Sequence, residues 1–435
     1  FTNLRKLQRN TLHFLLDLTR QYGDTVRIRS PFGSAYLINS PDGVKYVLQE
    51  NNRNFNKDVF DYKILRKLLG QGLLTNDGES WLHQRRLMQP AFHRQRLAAF
   101  GTLMTSTTVA MLDRWDARDD PAQTLDVAQE MMLLTLNIVG QALFSIDLSG
   151  EADAVGQSFL TVNRLITEYT YTPFVPMNIP TPRNRRFHKA RRVLNQVVDD
   201  IIKERRRQNN NSNDLLSMLL EARDEETGQG MNNRQLRDEV LTLMLAGHET
   251  TAMTLSWTCY LLSQHPDVEQ KLREELDTVL AGHLPTVEHL ANLSYNRMVI
   301  EEAMRLYPPA WALTRNTIAD DTIAGYHIPK GSMILLCPYT THRHPTFWEN
   351  PEVFDPERFT PERSANRPRY AYFPFGGGPR QCIGNGFAMM EAQLILATVL
   401  QRYRLRLVPD TLVEPEPLIT LRPHYGLPMT LFRIG

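Results

Sequence analysis

The chain has 435 residues, of which 42% are hydrophobic and 9% aromatic, so it is long enough to bury a large core. Its formal net charge of +1 gives no support for nucleic-acid binding as the main function. The three cysteines lie far apart, at positions 259, 337 and 382. They form no Cys-x-x-Cys pair, which excludes an ordinary zinc finger and a c-type heme attachment motif and argues against a disulfide framework. A reducing cytoplasm fits this composition best.

The sequence predicts one domain over residues 1–435, because it contains no repeats and no linker long enough to separate domains. No run of about 18 apolar residues is present, so no membrane span is predicted. The chain starts with Phe1 rather than Met, which leaves open an anchor segment upstream.

The predicted elements begin with a β-hairpin, in which residues 25–29 and 35–39 alternate apolar and polar side chains around a Pro-Phe-Gly turn. Helical patterns then dominate from about residue 80 to 307, interrupted by a polar loop at 209–213. Short strands are predicted within 317–337 and 403–434. Many helices with a segregated minor β part indicate a mainly α, α+β architecture.

Trp81 and Arg85 lie four residues apart, on one face of a predicted helix. Both side chains carry N–H groups that could donate to a buried carboxylate. The alternative is a tryptophan in the core beside a surface arginine.

The longest predicted helix starts at an N-cap, Asn232 or Asn233, and runs to about Gln264 without a proline. Mid-way along it, residues 246–251 read Ala-Gly-His-Glu-Thr-Thr. A threonine hydroxyl here can bond to the carbonyl four residues earlier and loosen the helix.

In this motif Glu249 and Thr250 supply an ionisable group and a hydroxyl, the parts needed for a proton relay. Gly247 leaves room for a small ligand beside them. Taken alone, the motif also fits a kinked structural helix.

Glu302 and Arg305 lie three residues apart on one helix face, and Arg358 follows in a later Pro-Glu-Arg-Phe segment. In isolation such a pair is most often a surface ion pair.

Residues 375–384 read Phe-Gly-Gly-Gly-Pro-Arg-Gln-Cys-Ile-Gly and are followed by a helical pattern. The glycines allow the backbone to approach a flat partner closely. Cys382 is placed near a helix N-terminus, which favours a thiolate able to ligate a metal. Arg380 offers a positive charge to a carboxylate on the same ligand. A buried structural cysteine is the alternative.

These motifs resemble those of the cytochrome P-450 family, the heme-thiolate monooxygenases, along nearly the whole chain. The resemblance implies a single prism-shaped domain with heme b (iron protoporphyrin IX) between two helices. It implies that Cys382 is the iron ligand and that Phe375 packs beside the sulfur. Glu249 and Thr250 would deliver protons to iron-bound dioxygen. The heme propionates would be bound by Trp81, Arg85, Arg315 and Arg380, and a structural network would join Glu302, Arg305 and Arg358.

The resemblance further implies insertion of one oxygen atom into a substrate, by hydroxylation or epoxidation. Apolar residues in the segments 55–74, 310–313 and 418–421 favour a lipophilic substrate such as a fatty acid or terpenoid. Electrons would come from an external ferredoxin, flavodoxin-type protein or reductase. Four arginines and no acidic residue within 83–96 suggest a docking face for it, with a solvated helix face as the alternative.

The chain is expected to act as a monomer. Two other classes stay open: a heme-thiolate isomerase or dehydratase that uses no dioxygen, and a non-catalytic heme sensor. The Glu249–Thr250 pair argues against the first, and a sensor would normally need an output domain.

Overall fold

The structure is a computed structural model. It describes residues 10–434 apart from 31–32, 119–123, 148–151, 172–175, 209–213, 224–227 and 229. The predicted Pro-Phe part of the hairpin turn and the polar loop at 209–213 therefore lie outside the described residues.

Helices make up most of the described chain. They are α1 (Thr11–Tyr22), α2 (Pro41–Lys45), α3 (Phe60–Leu69), α4 (Gly78–Met88), α5 (Arg94–Ala98), α6 (Gly101–Asp116), α7 (Val127–Phe144), α8 (Ala152–Tyr171), α9 (Pro182–Gln208), α10 (Leu215–Glu221), α11 (Asn233–Gln264), α12 (Pro266–Leu280), α13 (Ser294–Leu306), α14 (Pro338–Thr341), α15 (Pro361–Ser364) and α16 (Asn385–Arg402).

The strands are short and segregated from the helices. They are β1 (Thr25–Ser30), β2 (Gly33–Ile38), β3 (Phe55–Asn56), β4 (Thr124–Asp126), β5 (Leu313–Thr317), β6 (Asp321–Ile323), β7 (Tyr326–Ile328), β8 (Met333–Leu336), β9 (Tyr403–Leu407), β10 (Pro415–Pro417), β11 (Leu421–Pro423) and β12 (Pro428–Arg433).

The largest sheet has the order β1-β2-β8-β5-β3, and a second sheet has the order β4-β12-β9. In the first sheet β1 and β2 form the predicted hairpin, β2 and β8 are parallel, and Arg315 of β5 pairs with Ile334 of β8. The predicted architecture of many helices with small separate sheets is confirmed.

The 18 residues of helix α7 have a mean hydropathy of 1.3, and α7 is the one described helix long and apolar enough to cross a membrane. Within the fold 67% of it is buried, and it packs along α11. That burial is typical of a core helix.

Helix α11 confirms the longest predicted helix, at 32 residues. The Asn232 side chain accepts a hydrogen bond from the Gln235 N–H, and the Gln235 side chain accepts one in return, so two free N–H groups at this end are satisfied. The helix packs against α7, α13 and α16. Within residues 246–251, the Thr251 hydroxyl lies near Glu391 of α16, the helix that follows Cys382.

Candidate active site

The cysteine loop is shaped by glycines in the left-handed backbone region. Gly376 and Gly378 have φ angles of +68° and +63°. A Cβ on Gly378 would lie 1.9 Å from the carbonyl oxygen of Leu48, so this position allows no side chain. The Cys382 N–H donates to the Phe375 carbonyl, 3.0 Å away, and closes the loop.

Cys382 is the one exposed cysteine, whereas Cys259 and Cys337 are buried. Desolvation by the surrounding protein raises the pKa of the Cys382 thiol, while an N–H bond from Gly384 and the charge of Arg85 lower it. The last two effects favour the thiolate, as a metal ligand requires.

Three cations converge near this loop. Arg315 is 5% exposed, and Lys57 is 4% exposed with its Nζ donating to the Leu74 carbonyl at 2.8 Å. Arg380 pairs with Asp77. The pKa of Lys57 is lowered first by burial and then by the charges of Arg315 and Arg380. Among the described residues, the electrostatic neighbours of Lys57 are three arginines, the third being Arg66, and one carboxylate, Asp77, so the cluster can accept the acid groups of a ligand.

Trp81 and Arg85 reach different partners. The guanidinium of Arg380 lies over the Trp81 ring, 5.4 Å from its centre, so Trp81 belongs to the cation cluster. Arg85 instead donates from Nη1 to the Gln381 carbonyl at 2.9 Å, beside the cysteine. Trp81 is 7% exposed and lies in the core, as both interpretations of the pair require, and Arg85 is half-buried rather than on the open surface.

On α11, Thr250 donates its hydroxyl to the Ala246 carbonyl at 2.8 Å, as the sequence predicts. Glu249 is 2% exposed and accepts hydrogen bonds from Thr420, at 2.6 Å, and from Asn163. Adjacent residues of a helix do not face each other, so the acid and the alcohol have separate partners. Burial raises the pKa of Glu249, and its bonds oppose this shift.

The sequence reasoning missed Lys57, Asn163 and Thr420 as members of the site. Lys57 and Thr420 fall in segments that were assigned to substrate contact, yet nothing in the pattern distinguishes them from their neighbours. Asn163 is a polar residue within a helical pattern, and only the fold reveals its burial.

The comparisons with known proteins decide the family. The sequence model of the cytochrome P-450 family matches residues 1–426. The chain belongs to the cytochrome P-450 family. Cyclooctat-9-en-7-ol 5-monooxygenase of Streptomyces melanosporofaciens is 40% identical over 93% of this chain and 87% of its own.

Pentalenene oxygenase of Streptomyces avermitilis is 38% identical over 96% of this chain and 91% of its own. The crystal structure of the cytochrome P450DA heme domain superposes with a TM-score of 0.91 at 28% identity, covering 100% of this chain and 95% of that one. The protein is therefore a heme-dependent monooxygenase that acts on an organic substrate with dioxygen and electrons from a redox partner.

In this cytochrome P-450 the Glu302 network is fully formed. Arg305 donates to Glu302 from Nε at 2.6 Å, and the Arg358 Nε lies 3.3 Å from the same carboxylate. None of the three residues is more than 4% exposed, so the interpretation as a surface ion pair is wrong. The network is a buried structural feature, as the family resemblance implies.

Proposed function

We propose that this cytochrome P-450 hydroxylates or epoxidises a cyclic terpenoid, using heme b ligated by Cys382. The observation that carries the proposal is an exposed thiol in a glycine-shaped loop, close to a cluster of cations. Bound heme would supply the activation of dioxygen, and the thiolate would favour O–O cleavage.

The residues present fit heme. The Gly384 N–H and Arg85 favour the anionic sulfur, and Phe375 is joined to Cys382 through its backbone. The propionates would be bound by the cation cluster of Lys57, Arg315 and Arg380, together with Trp81, which packs against Arg380. We also propose that Arg85 contacts a propionate. Its bond to the Gln381 carbonyl gives it a second role, which is to hold the loop.

Glu249 and Thr250 would manage the protons that the reaction consumes. A buried carboxyl with a raised pKa holds a proton at a pH where an exposed one has lost it. The Thr250 hydroxyl, bonded to its own helix, is fixed in place to pass a proton on.

Two relatives named for cyclooctat-9-en-7-ol and pentalenene support a cyclic terpenoid as the substrate class. Titration with pentalenene, monitored by the spin-state change of the heme, tests this assignment. A spectral shift and an oxygenated product would support it, and a fatty acid such as lauric acid giving the only shift would overturn it.

We propose one domain over residues 1–435, acting as a cytoplasmic monomer and reduced by a ferredoxin or flavodoxin-type protein. Arg86 and Arg94 are exposed and suit an acidic partner. Reversing both charges should slow reduction by ferredoxin at low salt, whereas reversal of the exposed Arg404 should not. Unchanged reduction rates would contradict the docking face.

The deciding experiment is the carbon monoxide difference spectrum of the reduced protein. Thiolate ligation predicts a strongly red-shifted Soret band that Cys382→Ser abolishes, while Cys337→Ser, at a buried position, keeps it. A band typical of histidine-ligated heme in the unaltered protein would remove the iron assignment.

A further inference from the structure

The carboxyl of Glu249 is bonded through one of its two oxygens. Oε1 accepts from the Thr420 hydroxyl at 2.6 Å and from the Asn163 side-chain amide. Among the described residues no hydrogen bond reaches Oε2. Because Oε1 already accepts two donors, a proton on the neutral carboxyl is carried by Oε2.

The orientation of the Asn163 amide is fixed at both ends. Its nitrogen donates to Glu249, and its oxygen accepts the Ile419 N–H at 2.9 Å. A flipped amide would lose both bonds. Asn163 is 1% exposed and Thr420 is 5% exposed, so water does not replace either partner readily.

The two donors come from distant parts of the chain. Asn163 belongs to α8, and Thr420 lies in the turn between β10 and β11. The turn overlaps residues 418–421, which the sequence assigns to substrate contact. Both donors, Asn163 and Thr420, thus lie outside the helix that carries Glu249.

We propose that Asn163 and Thr420 are positioning residues that hold Oε1 of Glu249 and so direct the proton on Oε2 toward the reaction. This inference rests on the proposed role of Glu249 as proton donor. The Thr420 hydrogen bond makes the position of the Glu249 carboxyl depend on residues 418–421. A substrate that shifts this turn therefore shifts the proton donor with it.

The bonds also affect protonation. Burial raises the pKa of Glu249, and Thr420, Arg422 and Asn163 lower it, in that order. Arg422, on β11, is the charged group among the described residues with an effect on this carboxyl. Loss of the Thr420 hydroxyl therefore raises the pKa further and moves the alkaline limb of the activity profile to higher pH.

The test uses Thr420→Val, which removes the hydroxyl and keeps the shape, and Thr420→Ser, which restores it. Thr398→Val is the matched control, since Thr398 is 2% exposed and bonds its own helix at 2.7 Å. The readouts are the fraction of NADPH electrons released as hydrogen peroxide, with pentalenene as the probe, and its pH profile. The peroxide fraction needs no oxygenated product.

Loss of one hydrogen bond predicts a rise in peroxide of roughly three- to tenfold in Thr420→Val, with kcat for coupled turnover falling and KM within about twofold. The alkaline limb should move up in pH. Thr420→Ser should restore both, and Thr398→Val should match the unaltered protein. A purely structural role would lower the yield of folded protein without shifting the pH profile.

Asn163→Leu supplies a readout independent of activity. The Ile419 amide should exchange its hydrogen faster in this variant, because its acceptor is gone. Unchanged peroxide and pH profile in Thr420→Val, with Glu249→Gln impaired, would overturn this inference alone. Unchanged coupling in Glu249→Gln would overturn the proton-donor role as well.

Discussion

Glu302 and Glu249 are both buried carboxyl groups, 0% and 2% exposed, but the charges of their partners differ. Glu302 contacts two arginines, Arg305 and Arg358. Glu249 is bonded to the neutral side chains of Asn163 and Thr420. A carboxylate between guanidinium groups stays charged and has a structural role. One held by neutral donors can gain and lose a proton with its position kept, as a proton donor requires.

The same contrast separates the two sides of the site. The cysteine side is fixed by ion pairs and by Gly378, a position that allows no side chain. The Glu249 side is fixed by hydrogen bonds to segments that the fold brings from elsewhere. Changes on the first side should therefore affect folding and heme retention, and changes on the second should affect protonation.

The largest effect is expected from Arg305→Ala, which leaves Glu302 without its bidentate partner. Breaking a buried pair by removing one member costs roughly 3–5 kcal/mol. The loss should appear in urea unfolding followed by tryptophan fluorescence. Arg297→Ala is the control, since its pair with Glu301 has a 62% exposed arginine and contributes about 0–1 kcal/mol. Equal losses in the two variants would show that the network has no special structural role.

The next largest effect is expected from Gly378→Ala. This position has a φ of +63°, and a Cβ there would clash with the Leu48 carbonyl oxygen. Gly376→Ala has the same unfavourable positive φ, at +68°, but its Cβ would lie 3.7 Å from the Leu313 side chain, without a clash. We expect roughly 1–2 kcal/mol for Gly376→Ala and about 1–3 kcal/mol more for Gly378→Ala. Heme content after purification and the unfolding midpoint measure the difference. Similar losses would leave only the backbone angle as the cause.

The cysteine side and the Glu249 side of the active site also differed in how far the sequence predicted them. The cysteine loop was predicted because Phe375, Arg380 and Cys382 are nearly adjacent, so local spacing carries the chemistry. Glu249 was found in its motif, but its partners lie 86 and 171 residues away in the chain. Such contacts follow from tertiary packing, which periodicity does not encode.

Burial was the other quantity that the sequence did not provide. Taken in isolation, Glu302 and Arg305 fit a surface pair, and only the family resemblance predicted their structural network. Lys57 was not distinguished from the polar residues around it. The limits of α11, the hairpin and the segregation of the strands were predicted correctly because hydrophobic periodicity and capping residues are local signals.

A third buried carboxyl, Glu391 on α16, extends the comparison, because neither of its oxygens has a hydrogen-bond partner among the described residues. Burial raises its pKa from 4.5 to about 8, against a smaller opposing effect of the nearby Thr251 hydroxyl. Because the pKa of Glu391 is raised in the folded state, the contribution of this group to stability is fully present below pH 4.5 and is lost as the pH rises through about 8.

Between pH 5 and 8 the free energy of unfolding should fall by up to roughly 4 kcal/mol through this group, at about 1.36 kcal/mol per unit. Glu391→Gln should flatten that slope, and Glu274→Gln, at an exposed position, should keep it. Urea unfolding at four pH values measures the slope. The same slope in Glu391→Gln and in the unaltered protein would contradict the assignment.

The smallest effect should come from Arg422, the charged group that acts on Glu249 among the described residues. Arg422 lowers the pKa of this carboxyl, opposing burial. Since protonated Glu249 is the proposed donor, activity is lost as the pH rises through its pKa. Arg422→Gln raises that pKa, so the alkaline limb should move to higher pH by less than about one unit.

Arg404→Gln, at an exposed position on β9, should leave the pH profile unchanged. A shift of the limb to lower pH in Arg422→Gln would contradict the sign of this effect. A shift of several units would mean that Glu249 depends on a charge as Glu302 does, and the contrast between the two carboxyl groups would fail. A small upward shift keeps Glu249 as the carboxyl held mainly by neutral donors, free to change its protonation where Glu302 is not.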